Sequence, residues 1–507
     1  MIKKCLQFSL VWIFFHYTVS AQKQQPNILL IIVDDLGYSD LASYGNTNIH
    51  TPNIDSFGKK GIRFTQAYVT SPICAPSRMG IITGRYQQRF GAEFMLYDKF
   101  APTVKKNIKR NLFSFKKKSE GITTLKPDLF LNHSKYATDI PASEITIAQL
   151  LKQKGYATGY IGKWNLSSSP EVSPDQFGFD YNYSFDGALS RYVDDPVDST
   201  AYINMHLPWS FSEIPAWAPR QGSTAIKEGR LVVSDTGYLT FSFAHKAIDY
   251  IEHNKASPFF LTLSFNAPHD PFQVPKTYFD RIKGVTDSVK RVYFGMIEAL
   301  DDAVGMVMQK LQRENLIDNT LVFFISDNGG ATYTRATDNA PLLGGKCTHF
   351  EGGLSVPFFI QWPAALQKEL VYNNPVSSLD IFTTTAAACG AELATDRTYD
   401  GVDLIRYIYE DTVLPHDKFF WRNGYSKAFR SGDWKLYLNE KQKITRLYNL
   451  GNDREEKYDL STNQPGKLKE LLEELKSWED KNTITPLWPS AADLLIDVNG
   501  KWFRFPS

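Results

Sequence analysis

Four apolar runs, each cut off abruptly by polar residues, restrict the folds open to this chain more than any other feature. Asn27–Val33 (NILLIIV) runs into Asp34-Asp35, and residues 158–161 run into Gly162-Lys163-Trp164. Residues 259–265 are followed by Asn266-Ala267-Pro268-His269-Asp270, and 321–325 by Ser326-Asp327-Asn328-Gly329-Gly330. Continuous apolar, β-branched runs suit strands covered on both faces. Segments with helical periodicity lie between them, at 145–154 (closed by Gly155), 241–253 and 289–315. Strands alternating with helices predict an α/β fold, a mainly parallel sheet sandwiched by helices. Ligands of such sheets bind beyond the carboxyl ends of the strands, so one sheet would gather these polar residues on one rim.

The rest of the chain departs from that pattern. Residues 101–139 show no clear periodicity and read as an insertion; Lys105, Lys106, Lys109, Arg110, Lys116, Lys117 and Lys118 fall within it. Residues 181–235, rich in aromatic and turn residues, read as a long irregular surface segment. From about residue 396 to 507 the pattern is that of a smaller α+β domain. Short strands are expected near 418–421, 428–430, 434–438 and 446–450, with an amphipathic helix over 467–480. The first 21 residues have a basic start, an apolar run and small residues at Val19-Ser20-Ala21, the pattern of a secretory signal peptide. That apolar run is short for a bilayer span and holds His16, so an exported product, periplasmic or secreted, with no stable membrane insertion is expected. The catalytic unit is then 22–395.

Composition adds exclusions. With 43% hydrophobic and 22% charged residues the chain is an ordinary globular one. Its 56 basic and 55 acidic residues leave a net charge of +1, which gives no reason to expect nucleic acid as a partner. Beyond the leader three cysteines remain, Cys74, Cys347 and Cys389, an odd count that permits one disulfide with a thiol left over, or none.

Asp34, Asp35, Asp327 and Asn328 offer only oxygen from two strand ends, the donor set hard cations prefer. No His or Cys pair has zinc-like spacing. Arg78, Lys163 and Lys346 stand beside glycines or turns, where they can meet a tetrahedral anion; Arg grips two oxygens and Lys acts as a point charge. His269, directly after a strand, is placed to protonate a leaving oxygen, and equally to hydrogen-bond within a Pro-rich turn. His50 and His349 are weaker candidates. Cys74 precedes a short helical pattern whose positive end favours a thiolate or a bound anion, and it could equally be a disulfide partner.

Together these residues resemble the formylglycine-dependent (type I) sulfatases. Cys74-Ala75-Pro76-Ser77-Arg78 is similar to the family's Cys-x-Pro-Ser-Arg signature, which Thr83-Gly84-Arg85 continues. Gly162-Lys163-Trp164, Pro268-His269, Asp327-Asn328-Gly329, Gly345-Lys346 and Glu351-Gly352-Gly353 resemble later motifs, in the family's order, as do Ser431 through Leu436 and Leu447 through Leu450. The resemblance implies an alkaline-phosphatase-like fold and conversion of Cys74 to formylglycine (3-oxoalanine) by a maturation system, with the aldehyde hydrate as nucleophile. It implies Ca2+ held by Asp34, Asp35, Cys74, Asp327 and Asn328. Arg78, Lys163 and Lys346 would bind the sulfate, and His269 would serve the leaving oxygen. One position departs: where the family has Gly-Lys-Trp-His, this chain has Asn165, which hydrogen-bonds but is no base near neutral pH.

Export, the basic insertion and many aromatic residues point to a sulfated carbohydrate substrate, with algal polysaccharide fragments of ulvan or carrageenan type placed first. The alternatives are glycosaminoglycan or aryl sulfates, a phosphate or phosphonate ester hydrolase on the same fold, and a non-catalytic binder of sulfated glycans. The insertion could also be no more than a solvated charge run.

Overall fold

The computed structural model describes residues 25–96, 122–126, 139–167, 169, 172–194, 199–206, 219–366, 369–409, 413–490 and 493–507. The expected leader and the basic cluster at 105–118 lie outside these residues.

A ten-stranded sheet forms the spine. Its strands are β1 Asn27–Val33, β2 Ile62–Phe64, β3 Ala157–Lys163, β4 Tyr181–Phe185, β5 Lys227–Glu228, β6 Leu231–Val232, β7 Phe259–Ser264, β8 Thr320–Ser326, β9 Phe358–Gln361 and β10 Leu370–Tyr372. The order across the sheet is β10-β2-β9-β8-β1-β7-β3-β4-β5-β6. The five central strands, β8, β1, β7, β3 and β4, run parallel. Antiparallel pairings appear only toward the edges, at β9 with β8 and β2, and at β5 with β4 and β6.

The helices named here are α1 Pro52–Lys60, α2 Cys74–Thr83, α3 Ile147–Gln153, α4 Leu239–Asn254, α5 Ser288–Arg313, α6 Asp380–Ala388 and α7 Pro465–Asn482. Side chains alternate across a strand, so each central strand supplies two cores. Leu29, Ile31, Leu261 and Phe324 pack with Ile54 of α1, Phe243 of α4 and Leu300 of α5. Their neighbours Ile28, Leu30, Phe260 and Phe323 pack on the other face with Met79 of α2, Leu151 of α3 and Phe382 of α6. Double coverage is why these strands read as unbroken apolar runs. Helix α3 begins at a capping box in which Thr146 and Gln149 each accept the other's backbone N–H, at 3.2 and 2.9 Å.

Two expectations are corrected. Residues 181–235 are not wholly irregular, because Tyr181–Phe185 is a parallel strand of the main sheet. Its Tyr-Asn-Tyr-Ser-Phe alternation hid it, since Asn182 and Ser184 are buried polar residues where the other strands carry apolar ones. The span 101–139 also holds a strand, Ile122–Lys126, which pairs antiparallel with Asp493–Val498 of the hairpin completed by Lys501–Pro506.

A separate antiparallel sheet follows the main one, formed in sequential order by Lys418–Asn423, Ser426–Ser431, Trp434–Asn439 and Ile444–Asn449. Leu471 and Leu475 of α7 cover its Phe429, Leu436 and Leu447. Polar clamps tie this unit to the main sheet. Trp421 Nε1 donates to Val69 O at 2.7 Å, and buried Lys435 bridges Glu351 and Glu456, both at 2.9 Å. His416 Nε2 lies 2.7 Å from Asp380 Oδ1 at the start of α6.

The His416 clamp gives stability a pH dependence. Burial works against the imidazolium, but the Asp380 carboxylate beside it prevails and raises the His416 pKa above 6.5. Its contribution is therefore complete below pH 6.5 and is lost as pH rises through the raised folded-state value. The urea midpoint should fall between about pH 6 and about pH 9, and by less in His416→Gln; equal slopes for the two proteins would refute this assignment.

Candidate active site

The carboxyl ends of β1, β7 and β8 meet side by side. Asp34 N–H donates to Ala267 O at 3.1 Å and Asp327 N–H to Val33 O at 3.0 Å. The turn after β1 places Asp35 at φ 63°, a left-handed conformation that Asp tolerates better than most residues. Its N–H donates to Asp327 Oδ1 at 3.3 Å. Two glycines permit the close approach. A Cβ on Gly162, where φ is 111°, would sit 1.8 Å from Ser264 O, and one on Gly329 would sit 1.8 Å from Gly352 O. The first lets the end of β3 lie against β7, and this carries Lys163 into the site.

The nine residues that the resemblance assigns to the site are all buried: Asp34, Asp35, Cys74, Arg78, Lys163, His269, Asp327, Asn328 and Lys346. Lys163 Nζ donates to Asp34 Oδ2 at 2.6 Å, and Lys346 Nζ lies 2.7 Å from Asp35 Oδ1. Arg78 Nε donates to Asp327 Oδ2 at 2.7 Å, while its Nη1 donates to Ser264 Oγ at 2.5 Å and Lys163 O at 3.2 Å. Asn328 Nδ2 donates to Asp35 Oδ1 at 2.7 Å. Cys74 is the first residue of α2, with no side chain capping that terminus. Cys347 N–H donates to Pro72 O at 2.8 Å, which brings the Lys346 loop beside the Cys74 loop. His269 Nδ1 faces Asp270 O at 2.6 Å and Asp270 Oδ1 at 3.1 Å, so both neighbours of that nitrogen are acceptors. Its Nε2 is 3.6 Å from Asp35 Oδ2.

Three carboxylates and three cations are thus interleaved out of water. Burial works to raise the Asp34 carboxyl, but Lys163, His269 and Arg78 hold it below its ordinary range. Burial likewise opposes the Asp35 charge, and Lys346 with His269 overcomes it. Asp327 is the exception: burial and the neighbouring Asp34 keep its carboxyl raised. Burial disfavours the Lys346 ammonium, yet Asp35 lifts it well above its ordinary value.

Some buried atoms of the cluster lack hydrogen-bond partners. Asp34 Oδ1 and Asn328 Oδ1 accept no hydrogen bond and Arg78 Nη2 donates none; Nη2 and Asp34 Oδ1 face each other at 3.6 Å, an ion pair beyond hydrogen-bond distance. Asp34, Asp35 and His269 each present a ligand atom within 4.8 Å of the others. Unsatisfied oxygens and neighbouring carboxylates fit a hard divalent cation. The unused guanidinium N–H fits an oxyanion.

Other sequence candidates fall elsewhere. His50 is exposed. His349 is locked at the junction with the second sheet, at 3.0 Å from both Asn423 Oδ1 and Ser426 Oγ, and burial pushes its pKa down to about 3. Cys347 and Cys389 are both buried free thiols, each pushed up by burial to about 12. Asn165 is buried at φ 48°, with its Oδ1 unpartnered. Supporting residues went unnoticed in the sequence. Tyr192 OH donates to Asn266 O at 2.6 Å and His269 O at 2.8 Å, and Tyr293 OH donates to Asp35 O at 3.0 Å. Ser264 had a signal, as a hydroxyl at the end of the largely apolar β7 run.

Comparison with known proteins places this arrangement. A profile of the Sulfatase family matches residues 26–391. N-acetylgalactosamine-6-sulfatase of Homo sapiens is 30% identical over 425 residues, covering 83% of this chain and 72% of that protein. An arylsulfatase of Hemicentrotus pulcherrimus is 30% identical over 429 residues, covering 82% and 67%. The crystal structure of Ps i-CgsB in complex with k-i-k-neocarrahexaose superposes with a TM-score of 0.75 at 29% identity, covering 92% of this chain and 95% of that one. The expected alkaline-phosphatase-like architecture agrees with that structure. With the family match spanning most of the chain and its site residues converging on one rim, the protein belongs to the sulfatases and is a sulfuric ester hydrolase.

Proposed function

We propose that the protein hydrolyses sulfate esters of a sulfated carbohydrate, with algal polysaccharide fragments of carrageenan or ulvan type as the leading class. The observation that carries the reaction is the buried rim where Asp34, Asp35, Asp327 and Asn328 face Arg78, Lys163 and Lys346. The substrate class rests on the likeness to Ps i-CgsB, whose structure holds a neocarrahexaose.

Asp34, Asp35, Asp327 and Asn328, with modified Cys74, would hold calcium, which supplies a fixed positive charge for sulfate oxygens. Without it, the three carboxylates offset the three cations; with a divalent ion the site carries surplus positive charge and suits an anionic ester. Cys74, converted to formylglycine by a maturation system, supplies a hydrated aldehyde as nucleophile. Its place at the uncapped start of α2 favours negative charge there. Arg78 would offer to a sulfate oxygen its Nη2, which faces Asp34 Oδ1 at 3.6 Å without a hydrogen bond, and Lys163 and Lys346 would add positive charge without needing to move. His269, with Nδ1 held by Asp270, would present Nε2 to the leaving oxygen. Asn165 would bond a hydroxyl of the nucleophile without accepting its proton. The protein would act outside the cytoplasm, in the periplasm or the medium. Among the described residues no helix is long and apolar enough to cross a membrane.

Four experiments test this reading. Mass spectrometry of the peptide containing Cys74 should give the mass of formylglycine; an unmodified thiol in active, natively produced protein would overturn the mechanism. Sulfate release should be lost on chelation, restored by calcium, and exceed phosphate release from matched esters. A panel in which only aryl sulfates react would remove the carbohydrate assignment. Lys163→Met should lower kcat/KM by about 100-fold or more. It should also destabilise the fold by about 3–5 kcal/mol, because it strips the buried Asp34 of its 2.6 Å partner; urea unfolding that matches the parent would contradict this.

A further inference from the structure

A second set of charges is withdrawn from water at the junction of the two sheets: Glu351, Lys435 and Glu456, all buried. Desolvating three charged groups offsets much of what their attraction gains, so stability alone does not account for this cluster. We propose that Lys435 and Glu456 are positioning residues for the rim: through Glu351 they fix the loop that carries Lys346 and the turn that carries Asn328. This rests on the sulfatase reading above and deepens it, by making the second sheet part of the apparatus that holds the sulfate.

The contacts run from the second sheet to the rim. Lys435, on the strand Trp434–Asn439, places Nζ 2.9 Å from Glu351 Oε1 and 2.9 Å from Glu456 Oε1. Glu456 Oε2 accepts the Glu351 N–H at 2.7 Å, and Tyr68 OH donates to Glu351 Oε2 at 2.6 Å. Glu351 is thus gripped at its backbone and at both carboxylate oxygens. The glycines after it carry the constraint onward. Gly352 N–H donates to Leu343 O at 2.8 Å, on the loop of Lys346. Gly353 O accepts the Gly329 N–H at 3.1 Å, one residue beyond Asn328. A Cβ on Gly353 would lie 2.1 Å from Thr348 O, so this backbone sits directly on the Lys346 loop. Lys346 N–H donates to Gly330 O at 3.0 Å, which closes the circuit between loop and turn.

The two carboxylates have different tasks. Burial opposes the Glu351 charge, and Lys435, Arg454 and Arg430 overcome it. Burial raises the Glu456 carboxyl to about 7 even though Lys435 opposes it. Glu456 therefore matters chiefly as the acceptor of the Glu351 N–H, a task glutamine can perform. Its backbone is held at φ 53°, a conformation that a residue with a long side chain keeps only where its surroundings impose it.

The test compares three variants of the full-length mature protein. Glu456→Ala removes the acceptor of the Glu351 N–H, and Glu456→Gln keeps it. His416→Gln removes the Asp380 clamp, at the same junction but away from Glu351. On a small aryl sulfate, Glu456→Ala should lower kcat about tenfold with KM within about twofold of the parent. Glu456→Gln and His416→Gln should keep both constants within about twofold. Amide hydrogen exchange reads the same effect without turnover. Peptides covering 327–332 and 343–348 should exchange about tenfold faster in Glu456→Ala and at the parental rate in His416→Gln. Parental kcat and parental exchange in Glu456→Ala would overturn the assignment. Equal losses in Glu456→Ala and His416→Gln would also overturn it, since they mark a junction that only holds the fold together. If Glu456→Ala does not fold, Tyr68→Phe, which frees Glu351 Oε2, takes its place with the same expectations. A parent that releases sulfate from no ester would count against the sulfatase reading alone, and the exchange rates would still decide this one.

Discussion

The structure turns on one problem: how to keep Asp34, Asp35 and Asp327 ionisable in a place water does not reach. An isolated carboxylate there would cost far more than folding can supply, and would neutralise instead. The solution is alternation. Lys163 sits on Asp34, Lys346 on Asp35, and Arg78 spans Asp327 and Asp34. The six charges come from five places in the fold: the turn after β1 supplies two, and the end of β3, the turn after β8, helix α2 and the loop at Lys346 supply one each. Removing one leaves its partner stranded, so the cluster couples the ends of β1, β3 and β8 as strongly as the hydrophobic cores couple their middles.

That coupling makes the site preorganised. Interleaved charges in a region of low polarisability do not need to reorient when an anion arrives, and this is where electrostatic stabilisation of a transition state comes from. The unsatisfied Asp34 Oδ1, Asn328 Oδ1 and Arg78 Nη2 show the same point from the other side. They are the atoms a cation and an oxyanion would satisfy, in a cluster whose other polar contacts are largely filled. A purely structural ion network would be expected to close on itself.

Much of this was legible in the sequence, and for a physical reason. β1, β7 and β8 are covered on both faces, so their inner side chains, Thr262 apart, are apolar and their polar ends stand out. β4 was not legible, because Asn182 and Ser184 interrupt the pattern. The convergence of nine residues on one rim followed from the parallel topology. Their pairing did not: nothing in the order of residues says that Lys346 meets Asp35 while Lys163 meets Asp34. Tyr192 and Tyr293 were invisible for a related reason, since a tyrosine that braces a loop through its hydroxyl looks like any other core aromatic. His349 shows the converse, a histidine beside a recognisable motif that serves only the junction with the second sheet.

The pairing of Ile122–Lys126 with Asp493–Val498 has a consequence for biogenesis. On a ribosome the earlier strand emerges hundreds of residues before its partner hairpin. Through nearly all of synthesis it therefore presents an unpaired edge of N–H and C=O groups, the kind of edge that invites pairing with other chains. The stretch just before it is dense in lysine, and like charges of that density repel a second copy of the same segment. The edge is paired only once the last hairpin has been made.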